Sequence, residues 1–142
     1  MQTINQLLQS KGTHVETVAA DNTVFEALGI MADKGIGSLL VLQDSKPVGL
    51  FSERDYARNV ILKGRTSKQT QVSEVMSSHV VVVQPEQSVE ECMAIMTEKR
   101  VRHLPVMQGD QLMGIISIGD LVKAIIENQQ FVIEQLVSYI NG

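Results

Sequence analysis

An internal repeat constrains this chain of 142 residues more than any of its other features. A fixed step of 65 aligns residues 15–55 with residues 80–120 without a gap. A duplicated segment folds the same way twice, so the chain is predicted to contain two similar halves that share a core. The identical pairs include Val15/Val80, Val24/Val89, Glu26/Glu91, Leu39/Leu104, Gly49/Gly114, Ser52/Ser117 and Asp55/Asp120.

Each repeat shows the same order of predicted elements: a strand, a helix, two strands joined by a polar turn, and a second helix. The first helix begins at a capping box, Thr23-x-x-Glu26 in one repeat and Ser88-x-x-Glu91 in the other. The predicted fold class is therefore α+β (mixed α/β), with two pseudo-symmetric β-α-β-β-α units packed face to face as one module. The predicted strands are 15–18, 39–42 and 48–52, and then 80–83, 104–107 and 113–117.

Three stretches lie outside the repeated elements. Residues 3–10 carry apolar residues at helical spacing, and Gly12 is predicted to end that helix. Residues 63–74 are polar and are predicted to link the two repeats. The last predicted helix, 119–139, is more apolar than one core-facing stripe requires, so we expect a homodimer in which a second copy covers the surplus. That surplus consists of Ile125, Ile126, Val132, Ile133, Leu136, Val137 and Ile140.

The composition argues against several classes of function. A net charge of −4 and a pI near 5.3 speak against nucleic acid as a partner, because that binding depends on Lys and Arg contacts to phosphate. No segment approaches the ~20 apolar residues of a membrane helix, and the first residues lack the basic and apolar regions of a signal peptide. We therefore expect a cytoplasmic protein with no membrane partner.

Side chains that could carry metal or catalytic chemistry are sparse. Cys92 is the single cysteine, which excludes an internal disulfide and a cysteine-based zinc site. The histidines, His14, His79 and His103, have no carboxylates at metal-ligand spacing, so no metal is predicted. The sequence offers no activated nucleophile and no carboxylate pair, and the chain is predicted not to be an enzyme.

Two matching motifs join a strand to a helix, one in each repeat. They read Gly-Leu-Phe-Ser-Glu-Arg-Asp at 49–55 and Gly-Ile-Ile-Ser-Ile-Gly-Asp at 114–120. Ser-x-x-Asp is close to a capping box, in which the two side chains satisfy free backbone groups at the helix start. The same N–H groups can instead bind an anion or a polar ligand. The motif alone leaves both interpretations open, and its repetition favours a ligand site.

Together with Arg102-His103-Leu104-Pro105-Val106, the two motifs resemble those of a tandem pair of cystathionine-β-synthase (CBS) domains, a regulatory module that senses nucleotides. The resemblance places one repeat at 8–63, the second at 73–127, and a helical extension at 128–142. It implies two clefts, each built from both halves, that bind an adenosine ligand: AMP, ADP, ATP, NAD or S-adenosylmethionine.

The resemblance also assigns residues to the two clefts. An ionised Asp can accept hydrogen bonds from ribose hydroxyls, Ser and helix N–H groups can contact ribose or phosphate, and Arg can bind phosphate oxygens. The first cleft would comprise His14, Val15, Ile36, Gly37, Ser117 and Asp120. The second would comprise Ser52, Arg54, Asp55, Arg58, His79, Val80, Val101, Arg102 and His103, and its cations would favour a polyphosphate.

The function implied is that of a stand-alone module that binds an adenosine nucleotide and signals to a separate, unidentified effector protein. One alternative is a structural or oligomerisation module without a ligand. A small hydrolase acting on the bound nucleotide is a third, for which the sequence offers no catalytic group.

Overall fold

The computed structural model describes residues 2–142, which contain five α-helices and five of the six strands that the repeat predicts, in the predicted order. The α+β class and the two packed repeats are confirmed. The helices are α1 Ile4–Lys11, α2 Val24–Lys34, α3 Glu53–Tyr56, α4 Val89–Lys99 and α5 Ile118–Asn141. A π-helical turn, Ala57–Ile61, continues α3, and a 3₁₀ turn spans Val72–Glu74. The strands are β1 Thr17–Ala19, β2 Ser38–Gln43, β3 Lys46–Ser52, β4 His103–Gln108 and β5 Gln111–Ser117.

The two sheets match each other closely but differ by one strand. In the first repeat β1 pairs in parallel with β2, and β2 pairs antiparallel with β3. In the second repeat β4 pairs antiparallel with β5. Each hairpin has a register shift at the same place, between Val41 and Leu42 and between Val106 and Met107. The repeat is therefore reproduced down to its irregularities.

The strand predicted at residues 80–83 is wrong, because only Val83 bridges to Val106 in parallel. In the first repeat the Leu40 N–H donates to the Glu16 carbonyl where β1 meets β2. The residue at the Leu40 position of the second repeat is Pro105, 65 residues later. Proline has no N–H to donate, so the ladder between these two strands starts later and stays short.

Each repeat has its own apolar core, and each core is completed by a segment from elsewhere in the chain. Helix α1 buries Ile4, Leu7 and Leu8 in the core of the second repeat. The segment before that repeat instead buries Val72 and Val75 in the core of the first. The Gly12 N–H caps α1 by donating to the Leu8 carbonyl at 2.7 Å, as predicted. The two halves are thus tied together by an exchange of segments.

Helix α5 belongs to the core only at its beginning. Leu121 and Ala124 are buried against the second repeat. Beyond them the helix runs on to Asn141 with large apolar side chains in solvent. Those more than two-fifths exposed are Val122, Ile126, Phe131, Val132, Ile133, Leu136, Val137, Tyr139 and Ile140.

Candidate functional site

Both Ser-x-x-Asp motifs form a capping box at the start of a helix. The Asp120 N–H donates to Ser117 Oγ at 3.1 Å, and the Ser117 N–H donates to Asp120 Oδ2 at 2.8 Å. Ser52 and Asp55 make the same pair of bonds at 3.2 and 2.9 Å. The capping interpretation is therefore confirmed. Among the described bonds each carboxylate uses Oδ2, which leaves Oδ1 for a ligand, so capping and ligand binding are compatible.

A cavity of about 340 Å³ opens beside Ser117, between the strands of the two repeats. Asp120 does not line the cavity itself but is bonded to two residues that do, Ser117 and Lys11, and we call this cavity the Asp120 cleft. The structure brings together here four residues that the resemblance assigned to one cleft: His14, Val15, Ile36 and Ser117. The remaining lining residues are Lys11, Glu16, Ser38, Leu40, Leu50, His103 and Ile115.

Lys11 is the residue of this cleft that the sequence analysis missed. Its ammonium lies 2.5 Å from Asp120 Oδ2 and donates to the Ile115 carbonyl at 2.7 Å. Burial raises the pKa of Asp120, but hydrogen bonds from Lys11 and Ser117 outweigh it and hold that pKa below its usual value. The carboxylate is thus ionised at neutral pH. The assignment of cations to the second cleft alone, that of Asp55, is therefore wrong.

His103 also lies in the Asp120 cleft and not with the residues of the Asp55 motif. In the hairpin it pairs with Ser117, which directs it into the same cavity as Lys11. Arg102 precedes β4 and lines a different depression, so the two residues do not share one cleft. Burial and the nearby charge of Lys11 lower the pKa of His103. The imidazole is therefore neutral at pH 7.

His14 is held at the mouth of the Asp120 cleft by a carboxylate. Its Nε2 lies 2.5 Å from Glu16 Oε1, and the ring is largely exposed. That hydrogen bond lowers the pKa of Glu16 against the opposing effect of burial. Lys34 lies 4.0 Å from the same oxygen. The mouth of the cleft thus carries both signs of charge.

The cations predicted for the Asp55 cleft do not gather there. Arg54 and Arg58 are exposed on the helical segment after Ser52. Val101 and Arg102 line an outer depression with Arg100 and Ile118. Gly37 lines the matching depression of the first repeat beside Glu53. The prediction that one cleft contains Arg54, Arg102 and His103 is therefore wrong.

The wall of the Asp55 side is formed by backbone. Ser77 and Leu50 exchange two backbone hydrogen bonds, each 2.9 Å long, and so extend the edge of β3. His79 donates from Nε2 to the Lys99 carbonyl at 2.9 Å, which ties this ring to the end of α4. Val80 is half-buried between these contacts. These residues lie where the repeat predicts, but their polar groups are already engaged with the chain.

Other chemistry is not supported by the residues described. Within residues 2–142, no group of three His, Cys, Asp or Glu side chains is arranged to hold a metal ion. The same part of the chain has no helix long and apolar enough to cross a bilayer. Burial raises the pKa of the Cys92 thiol to about 11, so it stays protonated within the core of the second repeat.

Comparison with known proteins gives consistent matches over both repeats. The sequence profile of the CBS domain matches residues 12–61 and residues 72–127. The mitochondrial CBS domain-containing protein CBSX3 of Arabidopsis thaliana is 34% identical over 99% of this chain and 72% of its own length. Because that relative is mitochondrial, the cytoplasmic location of this chain stays a prediction.

Solved structures show the same fold. A protein with CBS domains from Burkholderia ambifaria superposes with a TM-score of 0.79 at 49% identity, over 90% of this chain and 96% of its own. The hexameric CBS-CP12 protein of bloom-forming cyanobacteria gives a TM-score of 0.70 at 31% identity, over 84% of this chain and 70% of its own.

Proposed function

The chain belongs to the CBS-domain family as a tandem pair of repeats, and on that premise we propose that it is a regulatory module whose Asp120 cleft binds an adenosine nucleotide. The proposed ligand is AMP, ADP, ATP or NAD. The observation that carries the proposal is an ionised Asp120 at a helix start, bonded to Ser117 and Lys11, which line a cavity with an apolar wall. Its volume of about 340 Å³ falls within the usual range of ligand sites.

Each part of an adenosine nucleotide has a counterpart in the cleft. Apolar side chains of Val15, Ile36 and Ile115 offer a surface for adenine. Asp120 Oδ1 can accept hydrogen bonds from ribose hydroxyls. These bonds are stronger than bonds to a neutral acceptor, because the carboxylate is ionised. Lys11 supplies a positive charge for phosphate. The free Oδ1 of Asp120 and the apolar cavity beside Ser117 favour the ligand-binding function over a purely structural module.

Thermal unfolding with AMP, ADP, ATP, NAD and adenosine tests this proposal. A ligand that binds only the folded chain adds about 2.7 kcal/mol at 100 times its dissociation constant. For a domain of this size we expect a rise in melting temperature of roughly 5–10 °C. Asp120→Ala should weaken binding by about 1.5–3 kcal/mol, the range for a hydrogen bond to a charged group. No shift with any of these ligands at millimolar concentration would favour the structural alternative.

The Asp55 motif is a predicted second site. Its capping box matches that of Asp120, and Arg54 lies in the first turn of the same helix. Asp55→Ala is expected to reduce the number of bound nucleotides per chain from two to one in calorimetry if both sites are filled. Mass spectrometry of small molecules released from the purified protein would identify the ligand directly.

We also propose that the occupant of the exposed α5 surface is a second copy of this chain. Part of that surface follows a heptad, with Ile126, Ile133 and Ile140 in one core position and Val122, the polar Gln129 and Leu136 in the other. Isoleucine in the first position with leucine in the second favours a two-stranded association, and a polar residue in such a seam fixes its register. Between residues 128 and 142 the only charged side chain is that of Glu134, so two copies meet without strong repulsion.

The module is proposed to act on another protein and not to catalyse a reaction. The repeats and α5 occupy most of the described chain. In the Asp120 cleft, Ser117 Oγ accepts from the Asp120 N–H, and none of the described hydrogen bonds joins it to His103, its partner across the hairpin. Nucleotide binding would therefore be read by a separate effector. A small hydrolase would release product from ATP, so incubation of the protein with ATP followed by phosphate measurement tests that alternative.

A further inference from the structure

We propose that Lys11 makes the Asp120 cleft selective for phosphorylated nucleosides over free nucleosides, by leaving Asp120 for the phosphate when the ligand binds. The inference rests on the proposed function of this cleft and names the residue that sets its ligand class. It begins with a difference between the repeats. Helix α1 and the segment around Val72 fill equivalent positions, yet only α1 extends into a cleft.

The equivalence of these two segments follows from their contacts. Leu8 packs over Gly114 as Met76 packs over Gly49, a step of 68 residues for the packing side chains. From His14 to His79 the step is 65. The step from Leu8 to His14 is six residues, whereas the step from Met76 to His79 is three. The first segment therefore has three extra residues. The extra residues let α1 run on to Lys11.

The extension replaces a backbone contact with a movable charge. On the Asp55 side the Ser77 N–H donates to the Leu50 carbonyl and closes the strand edge. Ile115 holds the position of Leu50 in the second repeat, 65 residues later, and its carbonyl is bonded by the Lys11 ammonium. A backbone N–H fixed in a strand edge cannot follow a ligand. A lysine side chain that is one-third exposed can rotate to reach one.

Space and charge for a phosphate lie beyond Lys11. A second cavity of about 300 Å³ adjoins the Asp120 cleft and shares Lys11 as a lining residue. It also contains Asp120, Lys123 and Glu127. Lys123 adds a second cation on α5, while Glu127 disfavours highly charged anions. Two lysines beside two carboxylates, those of Asp120 and Glu127, give no surplus of positive charge, so this cavity suits a single phosphate better than a triphosphate.

The exchange of partners explains the selectivity. A free nucleoside can bond Asp120 Oδ1 while Lys11 stays on Oδ2, so it gains nothing from the ammonium. A nucleotide brings its own anion, so Lys11 loses one partner and gains another. The charged groups facing Lys11 are Asp120, Lys123 and Glu127, with His103 neutral beside them.

Isothermal titration of the full chain with adenosine and with AMP tests this inference, using wild type and Lys11→Met. We expect the variant to bind AMP at least tenfold more weakly and adenosine equally or more tightly. Lys11→Arg should retain the preference for AMP, because the charge is kept. Lys63→Met removes a lysine from the exposed linker and is the matched control, with no expected change in either affinity.

The outcomes separate this inference from the proposed function. If wild type binds neither ligand, the function proposed for the cleft fails and this inference with it. If wild type binds both but Lys11→Met weakens both by the same factor, the function stands and the role of Lys11 is overturned. A preference for AMP that disappears only in Lys11→Met supports the inference. Circular dichroism of each variant shows that the comparison is made on folded chains.

Discussion

Arg100 occupies the left-handed backbone position at the end of α4 that Gly35 occupies at the end of α2. The two residues lie 65 apart, and their φ angles are 56° and 65°. Each donates its N–H to a methionine carbonyl four residues earlier, Met96 or Met31. The fold therefore demands the same backbone turn twice, although a glycine supplies it only once.

Arg100→Gly should raise the free energy of unfolding by about 1 kcal/mol. A side chain in the left-handed region costs about 1–2 kcal/mol, part of which is offset by the greater freedom of glycine in the unfolded chain. Urea unfolding monitored by circular dichroism measures the change. Lys99→Gly, one residue earlier and inside α4, is the control and should lower the free energy of unfolding by about 1 kcal/mol. Destabilisation by Arg100→Gly would show that its side chain makes a contact that outweighs the strain.

The motif glycines are explained by segments that lie over them, and their substitution should differ in cost. A Cβ at position 49 would lie 2.8 Å from the Ser77 carbonyl oxygen, which is fixed by its pairing with Leu50. A Cβ at position 114 would lie 2.8 Å from a methyl group of Leu8, which can rotate. We expect Gly49→Ala to lower the free energy of unfolding by about 2 kcal/mol and Gly114→Ala by about 1 kcal/mol.

Urea unfolding of both alanine variants checks this order. Gly29→Ala is a suitable control, because a Cβ there has open space and the position is helical, so it should be neutral or stabilising. Equal losses at positions 49 and 114 would mean that the Ser77 backbone moves as easily as the Leu8 side chain.

The sequence predicted most of the fold because the repeat and the capping boxes are local patterns. The strand predicted at 80–83 is reduced to one bridge because Pro105, on the neighbouring β4, has no N–H to donate to it. The apolar content of residues 80–83 does not reveal this. His103 was assigned to the wrong cleft because a sequence string does not separate the two faces of a strand. Lys11 was missed because α1 matches its counterpart at a step of 68, which an alignment at 65 does not detect.

His103 should make the fold less stable as the pH falls below the ordinary histidine pKa of 6.5. Burial and Lys11 lower its pKa in the folded chain, so the unfolded chain binds the proton more tightly. The stabilisation that comes from a neutral His103 is therefore complete above pH 6.5. It is lost as the pH falls towards the lowered pKa of His103 in the folded chain. The charges that influence the ring are those of Lys11, Asp120 and the more distant Arg102, and Asp120 titrates in a more acidic range.

Unfolding free energies measured between pH 8 and pH 5 test this dependence. His103→Gln removes the titrating group, so its stability should change less across that range than that of wild type. His14 and His79 are retained in both chains, and the difference between them isolates His103. An identical pH slope in wild type and variant would assign the effect to another group.

The exposed half of α5 should hold two copies of the chain together, and two acidic substitutions should separate them. Leu136→Asp combined with Ile140→Asp places charges within the heptad stripe, at side chains that are 56% and 78% exposed in the single chain. Because these two side chains are not part of the core of their own chain, the fold should persist while the association is lost. Sedimentation velocity at micromolar concentration should show a dimer for the intact chain and a monomer for the variant.

The matched control puts the same charges on the other side of the helix. Gln135→Asp combined with Ser138→Asp lies outside the heptad stripe, which spans about 80° of the helix at 100° per residue. This control should remain a dimer, because its aspartates lie outside the stripe. Both variants gain two negative charges, so a difference between them reports position and not net charge. A monomer for the intact chain would exclude the second copy as the occupant of this surface. A dimer that survives Leu136→Asp with Ile140→Asp would place the contact on other helices, and the surplus apolar side chains of α5 would then need a different partner.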